Sequence, residues 1–351
     1  MSENFTAIDR ECMARAIAAA SQVRCATAPN PWVGAVVRGA DGVIYEGATM
    51  EPGKAHAEIV ALAAAGTAAQ GSTVYVTLEP CSHTGRTPPC VDALIEAGIS
   101  RAVIALEDPD ERVNGRGIEA LRAAGITVEV GLYADRVATQ LAPYIKHRTT
   151  GRPYVVLKMA ASVDGFTAAP DGSSQWITGP AARADGHRIR AESDAVIVGA
   201  GTVRRDNPSL TVRDYHPPVL PEHGTVDPLR VILANSAVDP EAKVQPCREM
   251  RGELVDILDE LGNDGILQVL VEGGAQVAGD FHRAGLVDKF VLYLAPALFG
   301  GGDARGLFTG LGAYSIDDVW RGRFDTVERV GGDLRLELTP ATAATDSQER
   351  R

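Results

Sequence analysis

The chain has 351 residues, 45% of them hydrophobic and 23% charged, and its formal net charge is −12. This length is typical of two domains, and a composition rich in Gly and Ala but poor in aromatic residues favours the α/β class over an all-β sandwich. Basic and acidic residues number 11 and 17 in residues 1–145, and 23 and 29 in the rest. The acidic excess is therefore the same in both halves of the chain. This distribution argues against a nucleic-acid surface and favours a small-molecule substrate.

The N-terminus and the cysteines bear on the compartment. Residues 1–5 lack the basic start and apolar stretch of a secretion signal, and the sequence contains no apolar run long enough to cross a membrane. Cys12, Cys25 and Cys247 lie outside the motif described below and suggest no disulfide framework. We therefore expect a cytoplasmic, reduced protein that contacts neither a membrane nor a nucleic acid.

Short apolar runs alternate with helical stretches in the first half of the chain. The predicted strands are Trp32–Val37, Val43–Thr49, Thr73–Leu78, Ala102–Leu106 and Thr127–Val130. Helices are predicted to begin at His56, Cys90 and Gly117. This alternation predicts a layered α/β sandwich with a mixed sheet.

Three metal-binding side chains and a carboxylate lie at the ends of these elements. His56 and Glu58 open one helix, Cys81 follows the strand Thr73–Leu78, and Cys90 opens the next helix. A catalytic zinc takes three protein ligands and keeps a fourth position for water, whose proton a nearby carboxylate can carry. The arrangement follows the H-x-E and P-C motifs of zinc nucleobase deaminases, except that eight residues separate the cysteines where those motifs have two. It predicts a hydrolytic deaminase with zinc on His56, Cys81 and Cys90 and with Glu58 as proton carrier.

Two alternatives are open for this motif. Taken alone, each cysteine would more usually be a buried core residue, and the histidine would more usually be a hydrogen-bonded residue at a helix start. A purely structural zinc site would normally be closed by a fourth ligand, for which His83 is the nearest spare side chain.

A polar, basic segment at residues 146–153 interrupts the apolar pattern and predicts a domain boundary. We expect a deaminase domain at residues 1–147, a second domain at 152–338 and a tail at 339–351 that is too polar to pack. A polar loop from His216 to Pro228 is expected on the surface. The second series of predicted strands is Tyr154–Met159, Ala195–Gly199, Leu229–Leu233, Gln268–Glu272 and Lys289–Leu294, and its helices are Pro180–Glu192, Glu253–Leu261 and Ala275–Ala284.

Motifs in both halves together resemble one family, the bifunctional riboflavin-biosynthesis deaminase/reductases, over about residues 9–299. Thr77–Cys90 is similar to the family's signature, including the eight-residue spacer, and Pro29–Gly34 is similar to its N-terminal motif. The corresponding motifs of the second half are Leu157–Ala160, Ser162–Gly165, Gln175–Thr178, Gly199–Val203, Leu210–Arg213 and Val271–Gly274.

The resemblance implies a cytidine-deaminase-like three-layer domain followed by a dihydrofolate-reductase-like domain. The first would remove the 2-amino group of 2,5-diamino-6-ribosylamino-4(3H)-pyrimidinone 5′-phosphate with zinc. The second would reduce the ribosyl chain to ribityl with NADPH. It also implies a small-molecule pyrimidine ribotide as substrate and a homo-oligomer.

The resemblance further carries over two sets of binding residues. The NADPH site would comprise Ala160, Trp176, Thr202, Asp206, Asn235, Gly274, Ala275, Gln276, Val277, Ala278, Gly279 and Asp280. Substrate contacts would come from Asn30, which would hold the base, and from Ser174, Arg190, Leu210, Arg213 and Glu272. The motifs do not reveal which side chain selects NADPH over NADH.

Three positions depart from the family pattern. Thr49 stands where the family usually has His, Ala55 where it has Pro, and Asn207 where it has the second Asp of Asp-Asp-Pro. Two rival functions are a nucleotide or tRNA deaminase with an appended non-catalytic nucleotide-binding domain, and a binding protein without activity. The acidic balance and the long cysteine spacer argue against the first, and the complete zinc motif argues against the second for the N-terminal half only.

Overall fold

The computed structural model describes residues 5–85, 88–111, 113–222 and 224–341. The chain divides into two compact units, Met1–Arg152 with Pro217–Val226, and Pro153–His216 with Asp227–Arg351. The division after Arg152 falls within the predicted boundary segment. Part of the polar loop that we expected on the surface, Pro217–Val226, groups with the first unit.

The first unit is built on a mixed five-stranded sheet. Its strands are β1 (Gly34–Arg38), β2 (Ile44–Ala48), β3 (Thr73–Leu78), β4 (Arg101–Leu106) and β5 (Thr127–Val130), in the order β2-β1-β3-β4-β5. Strand β1 runs antiparallel to both of its neighbours, and β3, β4 and β5 are parallel. The helices are α1 (Ala7–Gln22), α2 (Ala57–Ala65), α3 (Cys90–Glu96), α4 (Arg116–Ala123), α5 (Ala134–Gln140) and α6 (Ala142–Thr150).

Two glycines bring helices onto opposite faces of this sheet. A Cβ atom on Gly34 would lie 1.9 Å from the carbonyl oxygen of Ala16 in α1, and one on Gly47 would lie 2.3 Å from that of Ala57 in α2. Gly47 pairs with Ala35, the neighbour of Gly34, and successive residues of a strand point to opposite faces. Helices α1 and α2 therefore cover the two sides, which confirms the expected three-layer architecture.

Helix α6 differs from the expectation for the boundary segment. Residues 146–150, predicted to form a polar linker, continue a helix that ends only at Gly151, whose φ of 75° is left-handed. Glycine adopts this conformation without steric cost and so ends helices. The buried residues of this helix are Pro143 and Tyr144. Both lie before the polar segment, so the polar segment by itself did not indicate a helix.

The second unit is built on an eight-stranded sheet. Its strands are β6 (Tyr154–Ser162), β8 (Ala195–Gly199), β9 (Leu229–Leu233), β10 (Arg248–Met250), β11 (Gln268–Val271), β12 (Lys289–Ala295), β14 (Gly322–Val330) and β15 (Asp333–Pro340), while β7 (Phe166–Ala168) and β13 (Arg305–Gly306) form a separate pair. The helices are α7 (Pro180–Ala191), α8 (Ala200–Asp206), α9 (Leu254–Asn263) and α10 (Ala275–Arg283).

The strand order β10-β9-β8-β11-β6-β12-β15-β14 leaves a topological switch at its centre. Strands β10 to β12 in this order are parallel, and β15 and β14 are antiparallel additions. After β10 the chain returns to place β11 between β8 and β6. In open parallel sheets the crevice beyond the carboxyl ends of the strands at such a point is where ligands bind.

The last strand, β15, extends further than the sequence predicted. Residues 339 and 340, which we assigned to an unpacked tail, are the last of β15 and pair with Arg323 and Gly322 of β14. Residues 342–351 lie outside the described residues. None of the helices in the described part of the chain has the length and hydropathy that crossing a membrane requires.

Candidate functional site

The first site is a group of three metal-binding side chains. Among the described residues, the ligand atoms of His56, Cys81 and Cys90 all lie within 4.8 Å of one another. The Nδ1 atom of His56 is 3.6 Å from the sulfur of Cys81 and 3.3 Å from that of Cys90. One imidazole and two thiolates at such spacing are the donor set of a catalytic zinc, so the residues present fit this ion.

Local structure explains how these side chains meet. His56 is the N-cap of α2, Cys81 follows β3 after Pro80, and Cys90 is the first residue of α3. The backbone N–H of Cys90 donates to the sulfur of Cys81 at 3.3 Å. Hydrogen bonding to Cys90 lowers the pKa of Cys81 to about 4 although burial opposes this shift. Cys81 is therefore readily present as the thiolate that binds metal.

Glu58 completes this site from the first turn of α2. Its residue surface is 4% exposed, and its carboxylate interacts with the Cys90 thiol. Burial raises the pKa of Glu58 to about 7. A carboxyl group with a pKa near neutrality can both accept and release a proton during turnover.

The structure bears on the alternative of a closed structural zinc site. His83 does not belong to the metal-binding group found among the described residues. Its Nδ1 atom is buried without a hydrogen-bond partner in the described part of the chain. The donor set is therefore three protein ligands, which leaves a coordination position for water.

Glu79, two residues before Cys81, holds a network of backbone hydrogen bonds that we did not predict from the sequence. Its carboxylate accepts four backbone N–H groups, from Asp108 at 3.1 Å, Gly115 at 2.9 Å, Gly117 at 2.8 Å and Ile118 at 3.1 Å. The residue is 4% exposed. Glu79 thus ties the turn before α4 to the segment that carries Cys81. The only sequence signal was an acidic residue directly after a buried strand.

Replacing Glu79 by Gln should destabilise the first unit. An amide offers one oxygen and turns an NH₂ group toward backbone donors, so we expect a loss of about 3 kcal/mol from buried groups left unpaired. Thermal unfolding of the zinc-loaded protein measures this loss. Glu119→Gln, an exposed position in α4, is the control. An unchanged unfolding midpoint for Glu79→Gln would contradict the role of Glu79.

Asn30, predicted to hold the base, lies in the loop before β1. Its backbone N–H donates to the carbonyl of Thr27 at 2.8 Å, and its side chain is partly exposed. The following residues are fixed to neighbouring strands: Val33 donates to the hydroxyl of Thr49 at 3.2 Å and Gly34 to the hydroxyl of Thr77 at 3.1 Å. The loop is therefore anchored to β3, the strand that leads to Cys81.

The second site is a cavity of about 1280 Å³ at the carboxyl ends of the parallel strands in the second unit. Nine of the predicted cofactor residues line it, and they are Ala160, Thr202, Asp206, Asn235, Gly274, Ala275, Gln276, Val277 and Asp280. Of the predicted substrate contacts, Ser174 and Glu272 line it as well.

Close packing at the strand ends fits a dinucleotide. A Cβ on Gly273 would lie 2.6 Å from the Cβ of Val277, and one on Gly274 would lie 3.4 Å from the hydroxyl of Thr202. Gly273 therefore lets α10 pack closely against the end of β11, with Gly274 as the N-cap of the helix, and N–H groups at a helix N-terminus bind phosphate. The lining has six basic and four acidic side chains, a local excess of +2 in a chain of net charge −12. These features fit an anionic cofactor.

A buried ion pair stands beside the cavity. Arg190 in α7 donates to both carboxylate oxygens of Glu272 at 2.9 and 2.8 Å, and also to the carbonyl of Thr211 at 2.6 Å. Burial alone would raise the pKa of Glu272, but the positive charges of Arg190 and Lys158 lower it below its usual value. Glu272 therefore stays ionised at the cavity wall.

The remaining predicted residues do not line this cavity. Arg213 donates to the hydroxyl of Ser209 at 2.6 Å, Leu210 is buried in the core, and Trp176 is 69% exposed beneath the guanidinium of Arg183.

Two predicted cofactor residues of α10, Ala278 and Gly279, are not on the cavity lining. Ala278 is fully buried in the core. A Cβ on Gly279 would lie 2.4 Å from the carbonyl oxygen of Thr309. Ala278 is therefore covered by the core, and Gly279 is covered by the segment that carries Thr309.

Comparisons with known proteins cover both units. Residues 6–106 match the profile of the cytidine and deoxycytidylate deaminase zinc-binding region, and residues 153–336 match that of the RibD C-terminal domain. The riboflavin biosynthesis protein RibD of Mycobacterium tuberculosis is 43% identical over 343 residues, which cover 96% of this chain and 98% of that protein.

The chain belongs to the RibD family.

Two solved RibD-family structures extend the match to the fold. The Acinetobacter baumannii RibD structure has a TM-score of 0.88 at 38% identity and covers 95% of this chain and 99% of that chain. A Thermotoga maritima structure titled as a diaminohydroxyphosphoribosylaminopyrimidine deaminase and 5-amino-6-(5-phosphoribosylamino)uracil reductase has a TM-score of 0.83 at 33% identity, with coverages of 95% and 99%. The predicted fold, a cytidine-deaminase-like domain with a dihydrofolate-reductase-like domain, is confirmed.

Membership of the RibD family also confirms the predicted function and cofactors. The chain is a bifunctional riboflavin-biosynthesis enzyme with zinc in its deaminase domain and NADPH for its reductase domain.

The structure shows how the three departures from the RibD pattern are accommodated. Thr49 is buried, and its backbone N–H donates to the carbonyl of Val33 at 2.9 Å. Asn207 has a left-handed φ of 40° after α8, and its side-chain oxygen accepts the N–H of Lys243 at 2.8 Å. Asparagine tolerates this conformation better than most residues. Asn207 is not on the cavity lining, whereas Asp206 is. Ala55 accepts the N–H of Met50 at 3.0 Å through its backbone.

Proposed function

We propose that the first unit deaminates 2,5-diamino-6-ribosylamino-4(3H)-pyrimidinone 5′-phosphate and that the second then reduces the ribosyl chain of the product. The deaminase work is assigned to residues 1–147 and the reductase work to residues 152–338. The observation that carries the proposal is the group of three metal-binding atoms within 4.8 Å next to the buried carboxylate of Glu58.

In the first step, His56, Cys81 and Cys90 would hold zinc, which would supply Lewis acidity to activate water. C2 of the pyrimidine ring is amidine-like and open to addition of water. Glu58 accepts a proton from the attacking water and delivers it to the departing ammonia. Its burial and its pKa of about 7 suit both transfers. Asn30 would hold the base against this centre.

In the second step NADPH would supply the hydride for C1′ of the ribosyl chain, and the residues of the protein have to bind and orient the two reactants. The N-terminus of α10 at Gly274 and the cavity wall from Thr202 to Asp206 would hold NADPH. Ser174 and Glu272 would contact the substrate from the same cavity. Arg190 fixes Glu272 through two hydrogen bonds.

A coupled assay tests the whole proposal. Purified enzyme is given the diaminopyrimidine ribotide, and ammonia release and loss of NADPH absorbance are followed separately. Ammonia release without NADPH, followed by NADPH oxidation in an equal amount, is the expected result. The proposal is wrong for the second unit if the deaminated product causes no NADPH oxidation.

Cys90→Ser should abolish zinc binding and ammonia release while sparing the second step. The serine hydroxyl is a poor zinc ligand at neutral pH because, unlike a thiol, it does not readily lose its proton. Zinc content by mass spectrometry and NADPH oxidation with added deaminated intermediate are the two measurements. Cys247→Ser, in the second unit and outside the metal-binding group, is the control. Retention of one zinc per chain by Cys90→Ser would remove this residue from the ligand set.

We also propose that the enzyme acts in the cytoplasm as a homo-oligomer. Large apolar side chains are exposed in the second unit, with Leu311 at 87%, Tyr314 at 100% and Ile316 at 72%. Contiguous exposed apolar side chains are typical of surfaces that associate. Light scattering on the eluting protein gives the mass, and a monomer at micromolar concentration would contradict the oligomer. The acidic balance of the chain supports a small-molecule substrate over a nucleic acid.

A further inference from the structure

The parallel strands set the direction in which a dinucleotide lies in the cavity, an inference that rests on the proposed reductase function. The N-terminus of α10, with Gly274 as its N-cap on the cavity lining, would hold the pyrophosphate. Glu272, the proposed substrate contact, adjoins it at the end of β11, and the positive charge of Lys158 on the neighbouring strand β6 acts on the Glu272 carboxylate. The nicotinamide, which must meet the substrate, therefore lies toward β6. The adenosine half must extend the other way, over β8, β9 and β10.

The sheet order gives the distance that this half crosses. Neighbouring strands are about 4.8 Å apart, so β9 and β10 lie roughly 10 and 14 Å from β11. An extended adenosine phosphate spans a gap of this size. The adenosine ribose is thus expected above the carboxyl ends of β9 and β10.

Arg251 stands at this place. Met250 of β10 pairs with Leu233 of β9, and its carbonyl accepts the N–H of Ala234 at 3.1 Å. The next residue, Arg251, therefore lies beside Ala234 and Asn235, and Arg251 and Asn235 both line the cavity. Arg251 is exposed, and no hydrogen bond or ion pair to it is found within the described residues.

We infer that Arg251, with Asn235 and Ser236, binds the 2′-phosphate of NADPH and makes the enzyme select NADPH over NADH. Arginine's planar fork matches phosphate oxygens in two parallel hydrogen bonds. The two polar residues after β9 offer further donors at the same strand ends. Glu253 also lines the rim, and a carboxylate alone would favour a 2′-hydroxyl. Arg251 precedes Glu253 and is the residue that the strand register places beside Asn235.

Other arginines of the cavity serve this purpose less well. Arg283 is already paired with Asp280 and with the carbonyl of Thr309. Arg305 lies on β13, which pairs with β7 and not with the β9–β10 edge. Arg204 and Arg205 occupy the last turn of α8, the helix after β8, and Thr202 of this helix lies against Gly274, where the pyrophosphate would be held.

Calorimetric titration of the full-length zinc-loaded enzyme with NADP⁺ and with NAD⁺ tests this assignment without turnover. For Arg251→Gln, NADP⁺ affinity should fall about 10- to 100-fold, the usual worth of a charge-assisted phosphate contact, while NAD⁺ affinity changes less than about twofold. The same selective loss should appear with 2′,5′-ADP compared with 5′-AMP. Arg251→Lys should recover part of the loss, because it keeps the charge.

Controls separate this inference from the reductase function itself. Arg305→Gln removes a cation from the same cavity and should leave the ratio of NADP⁺ to NAD⁺ affinities unchanged. An equal loss for both nucleotides in Arg251→Gln, or a selective loss in Arg205→Gln in its place, would overturn the role of Arg251. Failure of the unmodified enzyme to bind NADP⁺ at all would instead overturn the proposed reductase site.

Discussion

Glu58→Gln is expected to keep zinc and to lower kcat for ammonia release by about 10²- to 10⁴-fold, the range that a positioned proton carrier supplies. Glutamine has nearly the same shape, so the packing around the residue, which is 4% exposed, should be preserved. It cannot accept a proton from water and release it to the leaving group. The KM for the diaminopyrimidine ribotide should change little, because the lost interaction belongs to the transition state.

Two measurements make this result specific to Glu58. Glu96→Gln, at the exposed end of α3, is a matched control and should retain full activity. NADPH oxidation with added intermediate should be normal in both variants. Ammonia release within twofold of the unmodified enzyme, with zinc bound to Glu58→Gln, would exclude this residue as proton carrier.

Local sequence signals account for much of the fold and for the metal group. Strands β3, β5, β8 and β9 have the bounds predicted from their β-branched, apolar runs. His56 and Cys90 lie at helix starts, where a cap position and a preceding proline mark the boundary in the sequence. A metal site built at the ends of such elements can be read from spacing alone, because each ligand is fixed by its own short segment.

Contacts between distant segments could not be read in this way. Glu79 accepts hydrogen bonds from four N–H groups that lie 29 to 39 residues further along the chain. Local sequence patterns do not predict such contacts. Strands β14 and β15 alternate polar and apolar residues weakly, and their pairing along the edge of the sheet supplies the order that the pattern lacks. Trp176 was placed in the cofactor site by its motif, yet the position of its ring depends on the packing of a loop.

The ion pair between Arg190 and Glu272, 82 residues apart, gives the second large expected effect. Their side chains are each only 11% exposed. Arg190→Leu would leave the carboxylate beside the cavity without its bidentate partner, which should cost about 3 to 5 kcal/mol. For a domain of this size that loss lowers the unfolding midpoint by about 10 °C. Scanning calorimetry of the full-length protein measures it.

A matched variant distinguishes the effect of burial from the effect of losing one positive charge. Arg188 lies on the same helix and pairs with Asp185 at 2.7 Å and Glu192 at 2.8 Å, but its side chain is 30% exposed. Local, partly exposed pairs contribute about 0 to 1 kcal/mol. Arg188→Leu should therefore shift the midpoint by no more than a few degrees. Equal shifts in the two variants would show that the Arg190 pair is not a special buried contact.

The double variant Arg190→Leu/Glu272→Leu distinguishes a structural pair from a substrate-binding pair. Because a buried ion pair replaced by apolar side chains is often no less stable, the double variant should recover most of the midpoint lost by Arg190→Leu. If Glu272 contacts the ribosyl substrate, NADPH oxidation should stay at least 10²-fold below normal despite the recovered stability. Recovery of both stability and NADPH oxidation would assign the pair to folding alone and remove Glu272 from the substrate site.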